Sequence, residues 1–299
     1  MTKPRVTIGL PVFNGGQFLT EAVQSLLSQD FEDFELLIAD NASTDSTREI
    51  CEQFAAGDAR IRYWRNDDNI GAAANYNRVF QRASGEFFRW AAADDRCKPS
   101  HLSRCLNEFE QTTTQLALVY PRTTIIDTAG NPVEIYEDNL NLRACAPHLR
   151  VEQLLRRLQL CNAVFGLMRT EVLATTRLIG GYVASDQTLL LELALRGQFY
   201  EIDSPLFERR LHAQGSQFAN ESAEELAAWF APRQHSTRIA PRSRLCAELN
   251  AAIWRAPISR TEKLRCLWQL QRCWLSRNWR VVGGELKLQL KDLCTGARA

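Results

Sequence analysis

Two hydrophobic periods alternate along the first hundred residues. The stretches 6–13, 34–39, 61–65 and 86–92 are runs of apolar and β-favouring residues, the pattern of strands buried on both faces. Between them, 18–29, 46–55 and 72–83 carry helical patterns, with Phe18, Leu19, Ala22 and Leu26 spaced for one face. Turn-forming residues punctuate the blocks: Asn14-Gly15-Gly16, the polar loop Asn41-Ala42-Ser43-Thr44-Asp45, and 66–71, which ends in Gly71. Three strand–helix units and a fourth strand predict an α/β domain with a mostly parallel sheet and helices on both faces.

Beyond Pro99 the pattern loosens. It predicts a helix to 111, a strand at 116–120, and a hairpin of 123–126 with 133–136 around the turn 127–132. A helix at 151–158, a strand at 164–168, a short helix at 171–175 and a helix at 187–195 closed by Gly197 follow. A last strand at 199–202 precedes Glu208-Arg209-Arg210-Leu211-His212 and a polar loop through Gly215 and Ser216. From Ala223 the pattern is helical, chiefly 260–275 and 277–293, the latter interrupted at Gly283-Gly284. Trp268, Trp274 and Trp279 alternate there with Arg265, Arg272, Arg277 and Arg280. Such a stripe packs on its parent domain or lies in a membrane interface, and packing is the commoner outcome.

Composition narrows the class without naming it. The 299 residues carry a net charge of +1, unevenly spread: from Arg255 onward ten Lys/Arg face three Asp/Glu. The basic end suits an anionic lipid surface, or else a solvated helix face. Nine cysteines form no C-x-x-C pair, which argues against a zinc knuckle or disulfide framework and fits a reducing cytosol. The N-terminal residues show no signal-peptide pattern, and no uncharged stretch approaches the roughly 18 apolar residues of a membrane span. The expected location is therefore cytoplasmic, with peripheral contact at the inner membrane face through the basic helices. The sequons at Asn41 and Asn220 carry no weight without a secretory route.

Chemistry concentrates where the fourth strand ends. Glu86-Phe87-Phe88-Arg89-Trp90-Ala91-Ala92-Ala93 runs into Asp94-Asp95, with Pro99 close behind. Carboxylates at the carboxyl end of a buried strand sit where α/β proteins bind ligands. Two adjacent like charges favour a cation or strong donor between them, although a helix-capping role remains open. Asp40 ends the second strand in the same way. Neither G-x-G-x-x-G nor G-x-x-x-x-G-K-[ST] occurs, so dinucleotide binding and P-loop chemistry lack their signatures.

In order and spacing, Val6 to Gly15, Leu37 to Asp45, Asn69-Ile70-Gly71, Gly85-Glu86 and Ala93-Asp94-Asp95 with Pro99 resemble a family 2 glycosyltransferase of the GT-A fold. The resemblance covers residues 5 to 99 firmly and continues to about 217. It implies a catalytic domain over 1–220, with a nucleotide-binding half (1–99) and an acceptor half (100–220), followed by a helical extension over 221–299. It assigns base and ribose contacts to Pro11, Phe13, Asn14 and Asp40, and places Arg65, Asn69 and Asn77 among pocket candidates. The family's Asp-x-Asp metal motif maps Asp94 onto its second aspartate and Ala92 onto its first, a departure from the common pattern. The resemblance thus implies Mn²⁺ or Mg²⁺ held by Asp94 and Asp95, with His212 approaching the metal or diphosphate and Arg209 and Arg210 as phosphate partners.

Asp186, near the start of the late helix, aligns with the family's catalytic base, with Ser185 where an acidic neighbour is usual; a helix cap is the other reading. The implied activity is metal-dependent, inverting transfer from a nucleoside-diphosphate sugar, the base expected to be uracil. The acceptor is a hydroxyl on a glycan, a lipid-linked glycan or another molecule, in glycan or surface polysaccharide synthesis, and no nucleic-acid partner is expected. A degenerate, non-catalytic sugar-nucleotide-binding scaffold is the alternative, because Ala92 and Ser185 replace acidic residues. A nucleotidyltransferase fits less well, since Asn14-Gly15-Gly16-Gln17 contains no basic residue.

Overall fold

The computed structural model describes residues 3–112, 115–213, 223–230 and 240–296. The expected loop through Gly215 and Ser216, the sequon at Asn220 and the expected boundary at 220/221 lie outside them.

The first half is built as the pattern predicts. Strands β1 (Val6–Val12), β2 (Phe34–Asp40), β3 (Ile61–Arg65) and β4 (Phe87–Trp90) run parallel, in the order β3-β2-β1-β4. Helices α1 (Leu19–Leu27), α2 (Thr47–Gly57) and α3 (Ala72–Gln81) connect them. All seven residues of β1 and of β2 are buried, which is why both read as continuous apolar runs. Side chains alternate between two cores. Ile8, Leu10, Leu36 and Ile38 meet α1 and the later α4 (His101–Gln111), whereas Leu37, Ala39, Phe88 and Trp90 face the opposite helical layer.

The second half is mixed. It contributes β5 (Arg96–Cys97), β6 (Leu116–Ile126), β7 (Pro132–Tyr136), α5 (Pro147–Arg157), β8 (Leu167–Arg169), α6 (Thr170–Leu173), α7 (Ser185–Arg196) and β9 (Gln198–Arg210). The sheet continues from β4 as β8-β6-β9-β5, with β7 on β6. Pairings β4–β8, β8–β6, β6–β7 and β9–β5 are antiparallel, and β6–β9 is parallel. Parallel pairing therefore dominates only the first half.

Several boundaries differ from expectation. The two stretches 116–120 and 123–126 form one strand, because register shifts around Pro121 and Arg122 carry the pairing with β9 past the proline. Residues Asn162–Phe165 form a 3-10 turn, leaving only Leu167–Arg169 as strand. Helix α5 begins at Pro147, whose missing N–H costs nothing in the first turn.

The C-terminal residues form α8 (Ala223–Phe230), α9 (Pro241–Arg255), α10 (Arg260–Leu270), a π-helical turn at Gln271–Leu275, and α11 (Ser276–Gly296). Gly283 and Gly284 lie within α11 and do not break it. Leu245, Leu249, Ile253, Cys266, Leu270 and Trp274 share one core with α5 and α7. Trp274 thus packs on the parent domain, while Trp268 and Trp279 remain about 60% exposed (61% and 60%). No helix among the described residues is long and apolar enough to cross a membrane.

Candidate active site

The carboxyl ends of β1, β2 and β4 open on one cleft of about 280 Å³. Pro11, Phe13 and Asn14 line it from β1, Asn69 and Tyr76 from around α3, and Asp94 and Asp95 from the end of β4. Arg209, Arg210 and His212 reach it from the end of β9, and Trp229 of α8 borders it.

Loop-to-loop hydrogen bonds hold the end of the cleft formed by the turns after β1 and β2. Asn14 adopts a left-handed conformation (φ 51°), which asparagine tolerates better than most residues. Its Oδ1 accepts the Thr44 N–H (2.9 Å), and its own N–H donates to the Ser43 hydroxyl (2.9 Å). The Gly15 N–H donates to Thr47 Oγ1 and the Gly16 N–H to Asp45 Oδ2, each at 2.9 Å. Along the cleft wall runs an asparagine network of which the sequence analysis expected only Asn69. Asn41 Nδ2 donates to Asn69 Oδ1, Asn66 Nδ2 donates to both Asn41 and Asn75, and Asn75 donates to the Ala39 carbonyl. Asn41 follows β2, Asn66 and Asn69 follow β3, and Asn75 lies in α3, so no local spacing shows that they meet.

Three of the expected nucleotide contacts stand outside the cleft lining. Asp40 is fully buried: it accepts the Ser43 N–H (2.8 Å) and the Tyr63 hydroxyl (3.1 Å), and lies 3.4 Å from Arg65 Nε. Arg65 also donates to the Ser43 carbonyl, so the pair fixes the shape of the second loop. Asn77 uses both ends of its amide on the backbone of Ile179, tying α3 to the segment before α7.

Around the carboxylates, strand β5 pairs antiparallel with β9, matching Arg96 with Glu208. That pairing delivers residues 118 positions apart: His212 Nε2 lies 2.9 Å from Asp94 Oδ2. The imidazole sits edge-on to Phe18, with ring centroids 4.7 Å apart. Asp94 and His212 thus form a carboxylate–imidazole pair on the cleft wall. Among the described residues no cluster of three or more metal-capable side chains occurs. Asp95 is buried behind them and accepts the Arg210 N–H at 2.9 Å. Burial, reinforced by the charge of Asp94, pushes its carboxyl well above the usual range.

The two arginines divide their work. The Arg210 guanidinium is fully buried, donates to the carbonyls of Asp94 and Thr128 and to Glu21, and stacks over Phe18 at 4.5 Å. It is a brace, with little left for a phosphate. Arg209 lines the cleft with one nitrogen on Asn162 Oδ1 (2.5 Å). Asn162 Nδ2 in turn donates to buried Asp138 at 3.3 Å.

Asp186 occupies the first turn of α7, where its Oδ1 accepts the Gln187 N–H at 2.9 Å and the Cys161 thiol donates to it. Burial raises its pKa above the ordinary carboxylate value, partly offset by the thiol, the Gln187 N–H and the charge of Arg209. Tyr76 stands within the field of both carboxylate groups. Burial raises its phenol pKa, and Asp94, Asp95 and Asp186 all add to the rise.

A parallel sheet whose strand ends gather loop amides, a carboxylate–histidine pair and an arginine around one cleft is the layout of a GT-A glycosyltransferase. The chain belongs to glycosyl transferase family 2, whose family model matches residues 7–172, more than half of its length. It is 31% identical over 106 residues to the Campylobacter jejuni GalNAc(5)-diNAcBac-PP-undecaprenol beta-1,3-glucosyltransferase, covering 35% of this chain and 34% of that one. It is likewise 31% identical over 128 residues to an Escherichia coli chondroitin synthase, covering 43% of this chain and 18% of that one. Matches to such curated relatives span between 18% and 53% of their own lengths. Among solved structures, Staphylococcus aureus TarS 1–349 with UDP-GlcNAc superposes at a TM-score of 0.67 with 15% identity, over 97% of this chain and 77% of that one. The Pyrobaculum calidifontis mannosyltransferase PcManGT, with GDP-Man and Mn²⁺, gives 0.53 at 15% identity, over 98% and 87%. The fold is shared with both.

Proposed function

We propose that this glycosyltransferase moves a sugar, with inversion, from a UDP-linked donor to a hydroxyl of a glycan or lipid-linked acceptor in surface polysaccharide synthesis. The pairing of Asp94 with His212 on the cleft that also holds Arg209 carries the reading. The UDP and UDP-GlcNAc bound to TarS support the choice of donor, and the undecaprenol-linked acceptor named for the C. jejuni relative supports that of acceptor.

Pro11, Phe13, Asn14 and Asn69 bound the nucleoside end, stiffened from below by Asp40 and Arg65. Asp94 and His212 fit a divalent cation: one carboxylate and one imidazole leave most of the coordination shell to diphosphate oxygens and water. Asp95 supports them from behind. When bound, Mn²⁺ or Mg²⁺ offsets charge developing on the leaving diphosphate. Arg209 donates to the same diphosphate. Asp186 accepts the acceptor's hydroxyl proton as the hydroxyl attacks the anomeric carbon, and its raised pKa makes it a stronger base than an exposed aspartate. The unpaired cysteines suit a reducing cytoplasm, and the basic helices at the C-terminal end bring the enzyme to an anionic membrane face.

Thermal melting with UDP and UDP-sugars, with and without Mn²⁺, tests the site, because a ligand of the native state raises Tm. A Mn²⁺-dependent rise, lost in Asp94→Ala and His212→Ala, is expected. Asp186→Asn keeps that rise but lowers turnover by roughly 10²–10⁴-fold. No shift with any nucleotide in the presence of metal sinks the assignment.

A further inference from the structure

The 3-10 turn Asn162–Phe165 contributes Phe165 to the lining of the cleft. Phe165 also packs on Phe207 of β9, with ring centroids 5.5 Å apart, which registers the turn against the strand that carries Arg209. Two residues at the start of the turn carry chemistry. Cys161 donates its thiol to Asp186, and Asn162 Oδ1 accepts from Arg209 (2.5 Å). Asn162 is buried, and its Nδ2 donates to the buried carboxylate of Asp138 (3.3 Å). A row of three side chains thus runs Asp138–Asn162–Arg209. Its members come from the segment after β7, the 3-10 turn and the end of β9.

A guanidinium can only donate, so the amide turns its oxygen to Arg209 and its NH₂ to Asp138. That order matters for charge. Asp138, Asp186 and Asp95 all feel the Arg209 cation. A carboxylate bonded directly to it would form an ion pair and offset the charge offered to the cleft. A neutral amide holds the guanidinium in place without neutralising it. The remaining Arg209 donors have no hydrogen-bond or ion-pair partner among the described residues. We propose that Asn162, anchored by Asp138, is a positioning residue that aims Arg209 at the diphosphate of the donor. Neither Asn162 nor Asp138 lines the cleft, so each acts through Arg209. The inference rests on Arg209 as a diphosphate partner and deepens that reading by naming what holds the guanidinium.

Isothermal titration of the full chain with UDP and Mn²⁺ tests it as a double-mutant cycle over Asn162→Ala and Arg209→Ala. Each single change is expected to weaken UDP binding roughly tenfold. In the Arg209→Ala background, Asn162→Ala is expected to add less than about twofold, because its effect passes through the guanidinium. An equal loss in both backgrounds marks a merely structural role and overturns the proposal, as does unchanged affinity in Asn162→Ala alone. Two changes at Asp138 repeat the test with Asn162 in place. Asp138→Ala removes the anchor and weakens UDP binding, whereas Asp138→Asn keeps an acceptor for the amide and restores affinity to within about twofold of the parent. Equal affinity of the two Asp138 variants, lost or kept, overturns the anchoring role. The two readings fail separately. Unchanged affinity in Arg209→Ala strikes the phosphate role of Arg209 and this inference with it. A loss there beside unchanged affinity in Asn162→Ala strikes the inference alone.

Discussion

At the residue scale, Asp138 is the clearest case of chemistry that only burial creates. It is 4% exposed, Oδ1 has no partner, and Oδ2 accepts from Asn162. Burial raises its pKa from 3.8 to about 7, against the opposing influences of Asn162 and Arg209. The folded state therefore holds a proton that the unfolded chain releases near pH 4. Between those values the native state binds more protons, so this group's contribution to stability falls as pH rises, and the full penalty applies above pH 7. Its upper bound is about 4 kcal/mol. Asp138→Asn retains an acceptor for Asn162 and removes the charge. Its Tm relative to the parent is expected to improve on going from pH 5 to pH 8. An equal Tm difference at both values refutes the shift. In the sequence, Asp138 is one acidic residue in a polar stretch, and nothing local distinguishes it from Asp127, which sits in an exposed turn bonded to Asn131.

At the element scale, strand–helix units were legible where each element carries its own period. Strands β1 and β2 and helix α3 fall close to their expected bounds because apolar continuity and helical spacing are local properties. Strand β5 was not legible. Two residues have no period, and Arg96–Cys97 is a strand only because β9 lies beside it. Close packing between elements depends on Gly9 in β1, where an added Cβ would stand 2.3 Å from Val79 Cγ1 and 2.8 Å from Phe88 Cζ. Gly9→Ala is expected to force α3 away from the sheet and cost about 1–3 kcal/mol, read as a lower urea midpoint with unchanged m-value. Because α3 carries Asn75 and Tyr76 toward the cleft, the same change is expected to weaken UDP binding. An unchanged midpoint shows that the packing has room to relax.

At the scale of the whole molecule, the C-terminal helices both join the core and expose large apolar side chains. They join the core through Leu249, Ile253, Leu270 and Trp274. Elsewhere they expose Trp254 (53%), Leu264 (60%), Trp268 and Trp279, near in sequence to Lys263, Arg265, Arg272 and Arg280. Indoles favour the polar–apolar boundary of a bilayer, and the cations favour an anionic leaflet. Co-sedimentation with phosphatidylglycerol-containing vesicles is expected, with little binding to pure phosphatidylcholine. Trp268→Ala with Trp279→Ala lowers binding roughly tenfold, and raised salt weakens it. Equal binding to both vesicle types excludes the charged-surface mechanism.

The sequence by itself determined the first half of the fold: four strands, the turns at their carboxyl ends, and a carboxylate pair just past the end of β4. Those features are local, since burial on both faces writes itself as an apolar run and a strand-end turn needs its own residue types. Tertiary structure alone decided which of the marked residues share a cleft. It brought His212 to Asp94 through the β5–β9 pairing, turned Arg210 into a brace and left Arg209 facing the cleft. It spent Asp40 and Asn77 on neighbouring backbone and side chains, and it set Asn162 between Arg209 and Asp138. These outcomes depend on contacts between residues distant in the chain, and hydrophobic periodicity carries no record of which distant partners meet.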